Sequence, residues 1–275
     1  MNPNLAFARW CSMLALAAVL GACQVTRPPP AANYSLDRAQ RSAMLVWEPE
    51  IRAPALAVYA QALDRARKQG RLNADSAMAA RVRVVAQRVI RASSAFRPDA
   101  TSWNWEVNLI DSGQLTAWCL PAGKIAVHSG LLTALDLTDD ELAAVIAHEI
   151  AHALREHASE RISELVTSGP GGSAASAGAQ PGARDLVALL QRVTFSLPYS
   201  AIQESEADRI GVELAARAGY DPQAAISFLR KIVAHKAAPA AQWSIAHPPT
   251  DLRVNELKVY AKRVIPLYEQ AGKRP

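Results

Sequence analysis

Apolar positions recur at helical spacing through much of the chain. Residues 50–69 and 75–93 each read as helices, the second, "DSAMAARVRVVAQRVIRA", with apolar side chains on one face and arginines on the other. The texture then changes. "WNWEVNLI", "LTAWCL" and "KIAVHSGLL" are short runs rich in Val, Ile, Trp and Thr, separated by Asp-Ser-Gly and Pro-Ala-Gly turns. They predict a small antiparallel sheet of three strands. Thr138, with Glu141 three residues on, has the form of a capping box and opens a helix expected from about 139 to 165. Further helices are expected over about 184–194, 201–218 and 222–234, with Gly219 closing one and Asp221-Pro222 opening the next. Between 168 and 184, "SGPGGSAASAGAQPGAR" lacks periodicity and almost all charge, the texture of a flexible flap or insert. The expected fold class is α+β, mostly helical.

One helix departs from the amphipathic pattern. "LAAVIAHEIAHALREH", residues 142–157, is apolar on nearly every face and should be buried, yet it carries His148, Glu149 and His152. Burying such groups without partners costs several kcal/mol each. At 3.6 residues per turn, positions 148 and 152 lie about 40° apart, so both rings can face one point while Glu149 flanks it. This H-E-x-x-H spacing is a zinc-protease signature, in which two neutral imidazoles hold the metal and the glutamate takes a proton from water. A pair of satisfied core histidines is the plainer alternative. The picture of the fold becomes a zinc helix packed beside the small three-stranded sheet.

The first residues add an address. "MNPNLAFARWCSMLALAAVLGACQV" has one positive charge at Arg9, an apolar run over 11–20 and a small-residue site ending at Cys23. This is a secretory signal, too short for a permanent span. "LGAC" resembles a lipobox, with residues 1–22 removed and Cys23 lipidated; an ordinary signal cut after Ala22 would leave Cys23 free. By resemblance to bacterial lipoproteins, Gln24 after that cysteine favours the outer membrane, on its periplasmic face. Residues 23–33, ending the "QVTRPPPAAN" stretch, are expected to form an extended Pro-rich spacer, and residues 34–275 the domain that carries the H-E-x-x-H helix, expected to be a zinc metallopeptidase domain. With three cysteines in all, and only Cys119 beyond Cys23, such an exported chain forgoes disulfides. Thirty basic against 25 acidic side chains leave a mild positive excess, suited to anionic lipid headgroups. The export signal argues against nucleic acid as a partner.

Two histidines leave a zinc shell incomplete. A metzincin would need glycine at 155 and histidine at 158, where the chain has Arg155 and Ala158. His157, five residues after His152, points to another face of a continuous helix and is expected to be solvated. "ESEAD", residues 204–208, places Glu204 and Asp208 on one helix face and Glu206 opposite. Glu204 can be the third ligand and Asp208 can accept the outer N–H of a ligating histidine, unless the stretch is only a solvated acidic helix start. Ala207 and Gly211 leave room for close packing. His128 reads as a packed strand residue, His235 as inert, Cys119 as a small hydrophobe, and the six tryptophans mostly as core or sheet-face residues.

The chain resembles the HtpX-type gluzincin peptidases, relatives of the CAAX prenyl endopeptidase and of the BepA-type periplasmic protease-chaperones. Four segments match in order over 103–253: "AWCLPAGKIAVHSGLL", "HEIAH", "ESEAD" and "HPPTDLR". The resemblance implies one zinc per chain on His148, His152 and Glu204, Glu149 as general base, Asp208 behind the ligands, and His247 and Arg253 acting near the metal. It also implies an extended protein substrate laid along an exposed sheet edge at Lys124, Ile125, Ala126 and Val127. With few residues after Arg253 and no span after the signal, the expectation is a small lipoprotein member without a tetratricopeptide module. Its expected function is cleavage of misfolded or stalled proteins of the bacterial cell envelope. The alternative is a non-cleaving chaperone for outer-membrane proteins using the same cleft, with outer-membrane assembly proteins as partners. Two roles are open for His247: fourth ligand of a latent enzyme, or donor to the oxyanion. Arg253 can orient that loop or pair with Asp208.

Overall fold

In the computed structural model of the protein, the described residues are 45–168, 181–235 and 242–272. The expected signal, the spacer, Cys23 and most of the 168–184 flap lie outside them. All the described residues belong to one compact unit, Asn33–Pro275. None of their helices is long and apolar enough to cross a membrane.

The helices α1 (Glu48–Lys68) and α2 (Ser76–Ala92) precede the strands β1 (Glu106–Ile110), β2 (Ala117–Leu120) and β3 (Lys124–His128). After the short α3 (Ser129–Ala134) come α4 (Asp139–Leu154), α5 (His157–Ser168), α6 (Ala183–Phe195), α7 (Ala201–Arg217), α8 (Ala224–Ala234), α9 (Gln242–Ala246) and α10 (Asp251–Ala271). The Thr138 capping box is formed: Glu141 N donates to Thr138 Oγ1 at 3.2 Å and Thr138 N donates to Glu141 Oε2 at 2.9 Å. From Glu141 to Leu154 every residue of α4 is buried, because α2, α7, α8 and β2 pack around it. Helix α10 was not anticipated, although Leu257, Ala261 and Val264 bury at helical spacing.

The sheet is mixed, where an antiparallel one was expected. Its order is β1-β3-β2, with β3 parallel to β1 and antiparallel to β2. The cause is the connection 111–116, which wraps past the end of β3 instead of turning back as a hairpin. Ser112 N donates to Ser129 Oγ (3.0 Å), Gly130 N to Ser112 O (2.8 Å) and His128 N to Thr116 O (3.1 Å). A Cβ on Gly130 would stand 2.6 Å from the Gly113 carbonyl carbon, so the wrap requires glycine there. Among the described strands, β2 and β3 form the hairpin, through Ala122 and Gly123 in the left-handed region.

This topology corrects the expected substrate edge. Lys124–Val127 is the central strand, paired on both sides and buried on both faces, so it offers no free backbone. The edge strands are β1 and β2; the outer side of β1 is met by residues 71–73, where Asn73 N donates to Leu109 O at 2.9 Å and Asp111 N to Arg71 O at 2.8 Å, which leaves β2 as the open edge. Ile125 and Val127 face the core shared by α2, α4 and α7, whereas Ala126, Trp118 and Leu120 face α1 and α6. Helices on both faces explain why β3 is an unbroken apolar run.

Candidate metal centre

Helix α4 brings the two histidines of "HEIAH" together, with His152 Nε2 3.0 Å from His148 Nε2. Glu204, in the first turns of α7, closes the third side. Its Oε1 is 3.4 Å from His152 Nε2 and its Oε2 3.5 Å from His148 Nε2. Helix α7 starts where it does because Ser200 Oγ accepts from Gln203 N and Gln203 Oε1 accepts from Ser200 N. Close approach of α4 and α7 depends on Gly211, where a Cβ would lie 2.9 Å from His148 Cα and N. His247 completes the ring of donors: its Nδ1 is 2.9 Å from Glu204 Oε1 and 3.2 Å from His148 Nε2. All four side chains are buried, and their ligand atoms lie within 4.8 Å of one another.

Behind this ring sits the carboxylate expected there. Asp208 Oδ1 is 3.0 Å from His148 Nδ1, which fixes the proton on that nitrogen and leaves Nε2 as the inward lone pair. Arg253 holds Asp208 by two 2.7 Å hydrogen bonds, from Nε and Nη2, and donates to Pro248 O at 3.1 Å. Both roles considered for Arg253, loop orientation and pairing with Asp208, are thus made at once. Its Nη1 also lies 2.6 Å from Glu204 Oε2, an ion pair whose angles fall outside those of a hydrogen bond.

Glu149 points into the same buried space. Its Oε1 accepts a 3.0 Å hydrogen bond from Trp243 Nε1 and lies 3.4 Å from His247 Nε2. The His247 ring stacks on Trp243 (4.8 Å, 24°) and on Tyr199 (5.2 Å, 27°). Sequence reasoning missed Trp243 and Tyr199, because an isolated aromatic in an Ala- or Pro-flanked segment carries no pattern that separates a site residue from a core residue.

His157 is the clearest correction. It is fully buried, with Nδ1 2.9 Å from His152 Nδ1 and Nε2 3.0 Å from Glu206 Oε2. The predicted continuous helix ends at Leu154, and Glu156 takes a left-handed φ of 59° that turns the chain before α5. That break folds His157 back under His152.

The donors are mutually tuned. Burial alone would raise the Glu204 carboxyl, but the charges of His247 and His148 outweigh it and hold it well below the usual range. Burial likewise opposes a proton on His148, yet Glu204 and Asp208 together push it up to about 9. His152 moves the other way, well below its ordinary value, through burial and the neighbouring His148. Three carboxylates, Glu149, Glu204 and Asp208, thus share a buried space with one guanidinium, Arg253. A divalent cation fits that excess of negative charge, and two imidazoles with one carboxylate are a zinc donor set.

An H-E-x-x-H helix joined to a glutamate from a second helix is the donor arrangement of the gluzincin class of metallopeptidases. Residues 76–261, about two thirds of the chain, match the family model described as peptidase family M48, and the chain belongs to that family. It is 38% identical over 129 residues to the mitochondrial metalloendopeptidase OMA1 of Arabidopsis thaliana, covering 47% of this chain and 26% of that one. Against the mitochondrial metalloendopeptidase OMA1 of Bos taurus the identity is 32% over 181 residues, covering 58% and 33%. Against the beta-barrel assembly-enhancing protease of Escherichia coli K12 it is 29% over 176 residues, covering 60% and 36%. The matches span no more than about a third of these relatives' lengths.

Proposed function

We propose that the protein is a zinc-dependent endopeptidase with one zinc per chain on His148, His152 and Glu204. The observation that carries this is the position of Glu149, buried beside the donor ring and fixed by Trp243, since a purely structural zinc site has no use for an adjacent base. Zinc held by these residues would supply Lewis acidity, polarising a scissile carbonyl and lowering the pKa of a water toward neutral. Glu149 takes the proton of the attacking water and passes it to the leaving amine. Asp208 and Arg253 hold His148 with its lone pair inward. Trp243 and Tyr199 clamp His247 where its nitrogens face both the donor ring and Glu149.

The substrate edge we assign is β2, the open strand that packs against α4. Cys119 on this strand lines a small pocket with His152 and Tyr199, so a peptide extended along β2 passes beside the donors. Its substrates would be misfolded or stalled envelope proteins. The secretory pattern and "LGAC" at Cys23 support a lipid-anchored location at the periplasmic face of a bacterial outer membrane, with outer-membrane assembly proteins as partners. A casein digestion with wild type and Glu149→Gln, together with metal analysis, tests the activity. Loss of cleavage with one zinc retained supports it. Equal cleavage by both forms refutes it, and full substrate binding without cleavage by wild type favours the chaperone reading.

A further inference from the structure

The two histidines of α4 are backed differently. His148 gives its outer nitrogen directly to a carboxylate, Asp208. The outer nitrogen of His152, Nδ1, instead faces a second imidazole, His157, which in turn faces Glu206 at 3.0 Å. Arg155 lies against Glu206, with Nε and Nη2 both 3.4 Å from its carboxylate oxygens. Each histidine thus ends on a carboxylate gripped by an arginine, but on the His152 side a neutral ring is inserted.

Hydrogen-bond arithmetic gives this chain one consistent arrangement. Two Nδ1 atoms 2.9 Å apart need one proton between them. His152 Nε2 must be a lone pair if it is to serve as a donor to metal, so its proton sits on Nδ1 and His157 Nδ1 accepts it. The proton of His157 is then on Nε2, directed at Glu206 Oε2. Every ring nitrogen has one role, and the direction is set at the far end by a carboxylate that can only accept.

We propose that His157 is a positioning residue for the metal: with Glu206 and Arg155 it sets the tautomer and ring angle of His152. The backbone bears this out. The chain leaves α4 through Glu156 in the left-handed region, a conformation that disfavours any side chain, and Arg97 Nη1 holds the Glu156 carboxylate at 2.8 Å. A helix continued through 155–157 would carry His157 away from His152. The turn places the ring, and a merely space-filling residue would not need one.

The inference rests on the metal reading above, and the test separates the two. Zinc affinity of the full-length protein is measured by competition with a chromophoric chelator, alongside the visible spectrum of the cobalt-substituted form and melting of the chelator-treated protein. His157→Phe keeps the ring volume and removes the acceptor; affinity should fall 10- to 100-fold, the usual scale for an outer partner of a ligating histidine, and the cobalt bands should shift. His157→Asn puts a carbonyl oxygen near the lost Nδ1 and should recover affinity to within a few-fold. Wild-type affinity and an unchanged cobalt spectrum in His157→Phe overturn the proposal, as does an equal loss in both variants, which marks a packing role. Should His157→Phe fail to fold, Glu206→Gln, which weakens the far acceptor, must still lower affinity several-fold. A wild type that takes up no zinc overturns the metal reading and this inference with it.

Discussion

Trp243 Nε1 donates a 3.0 Å hydrogen bond to Glu149 Oε1, so the base is fixed by a residue 94 positions away on a different helix. A hydrogen bond to a charged group contributes about 1.5–3 kcal/mol. Trp243→Phe keeps an aromatic ring against His247 and deletes the donor. Proteolytic kcat should fall about tenfold or more with zinc content unchanged, as steady-state kinetics and metal analysis would show. An unaltered rate would reduce Trp243 to core filling.

His247 Nδ1 stands among the donors, 2.9 Å from Glu204 Oε1, which favours the latch over the oxyanion role. His247→Leu should digest casein faster than wild type, and itself as well, at full zinc occupancy. A rate about a hundredfold lower, the scale of one oxyanion donor, would assign the second role instead. Loss of zinc would make His247 a permanent ligand.

Glu204→Ala should lose zinc on dialysis under conditions where wild type keeps it, because two imidazoles remain where three protein donors are needed. Since the site is assembled only in the folded chain, zinc at a hundredfold excess over Kd should add about 3 kcal/mol to wild-type stability. Chelation should lower Tm for wild type and leave Glu204→Ala nearly unmoved. Full occupancy in the variant removes Glu204 from the ligand set.

His128 supplies a pH prediction remote from the metal. Burial drives its imidazole down to about 4 from an ordinary 6.5, while Ser112 Oγ sits 2.7 Å from its Nδ1. The unfolded chain therefore binds a proton below about pH 6.5 that the folded chain refuses until about pH 4, and folding weakens as pH falls through that window. Full burial of the effect corresponds to ~3 kcal/mol. His128→Gln should flatten the urea-unfolding stability between pH 6.5 and 4 relative to wild type. Parallel curves would contradict the assignment.

The donor-bearing helix was legible because two signals coincide in "HEIAH" and "ESEAD". Apolar residues on all faces demand burial, and titratable groups at four-residue spacing demand a common partner. The structure brings His148, His152, Glu204 and Asp208 together as that logic requires. What was not legible depended on backbone events without a residue signature. No glycine or proline marks the break at Glu156, so His157 was placed by extrapolating a helix that had already ended. The Asp-Ser-Gly turn after β1 looks like a hairpin turn, and only the wrap around β3 shows otherwise. That error also put the substrate edge on the wrong strand, because edge or centre is a property of strand order and not of the strand's own residues. The left-handed Ala122 is likewise invisible in composition.

At Gly211 the two donor-bearing helices touch backbone to backbone, at His148 itself. No side chain fits in that seam at Gly211, so α4 and α7 cannot move apart there without separating His148 from Glu204. The segment carrying Trp243 and His247 is tied differently. Its links to the body include Trp243 N to Leu115 O at 3.0 Å, Ala246 O accepting from Tyr199 N at 2.9 Å, and face-to-face rings that can slide. On the proposed reading, peptide admission should depend on 242–250 and retention of a bound ion on the α4–α7 pair. Substitutions in 242–250 are then expected to change cleavage rate, and substitutions in the α4–α7 seam to change zinc content.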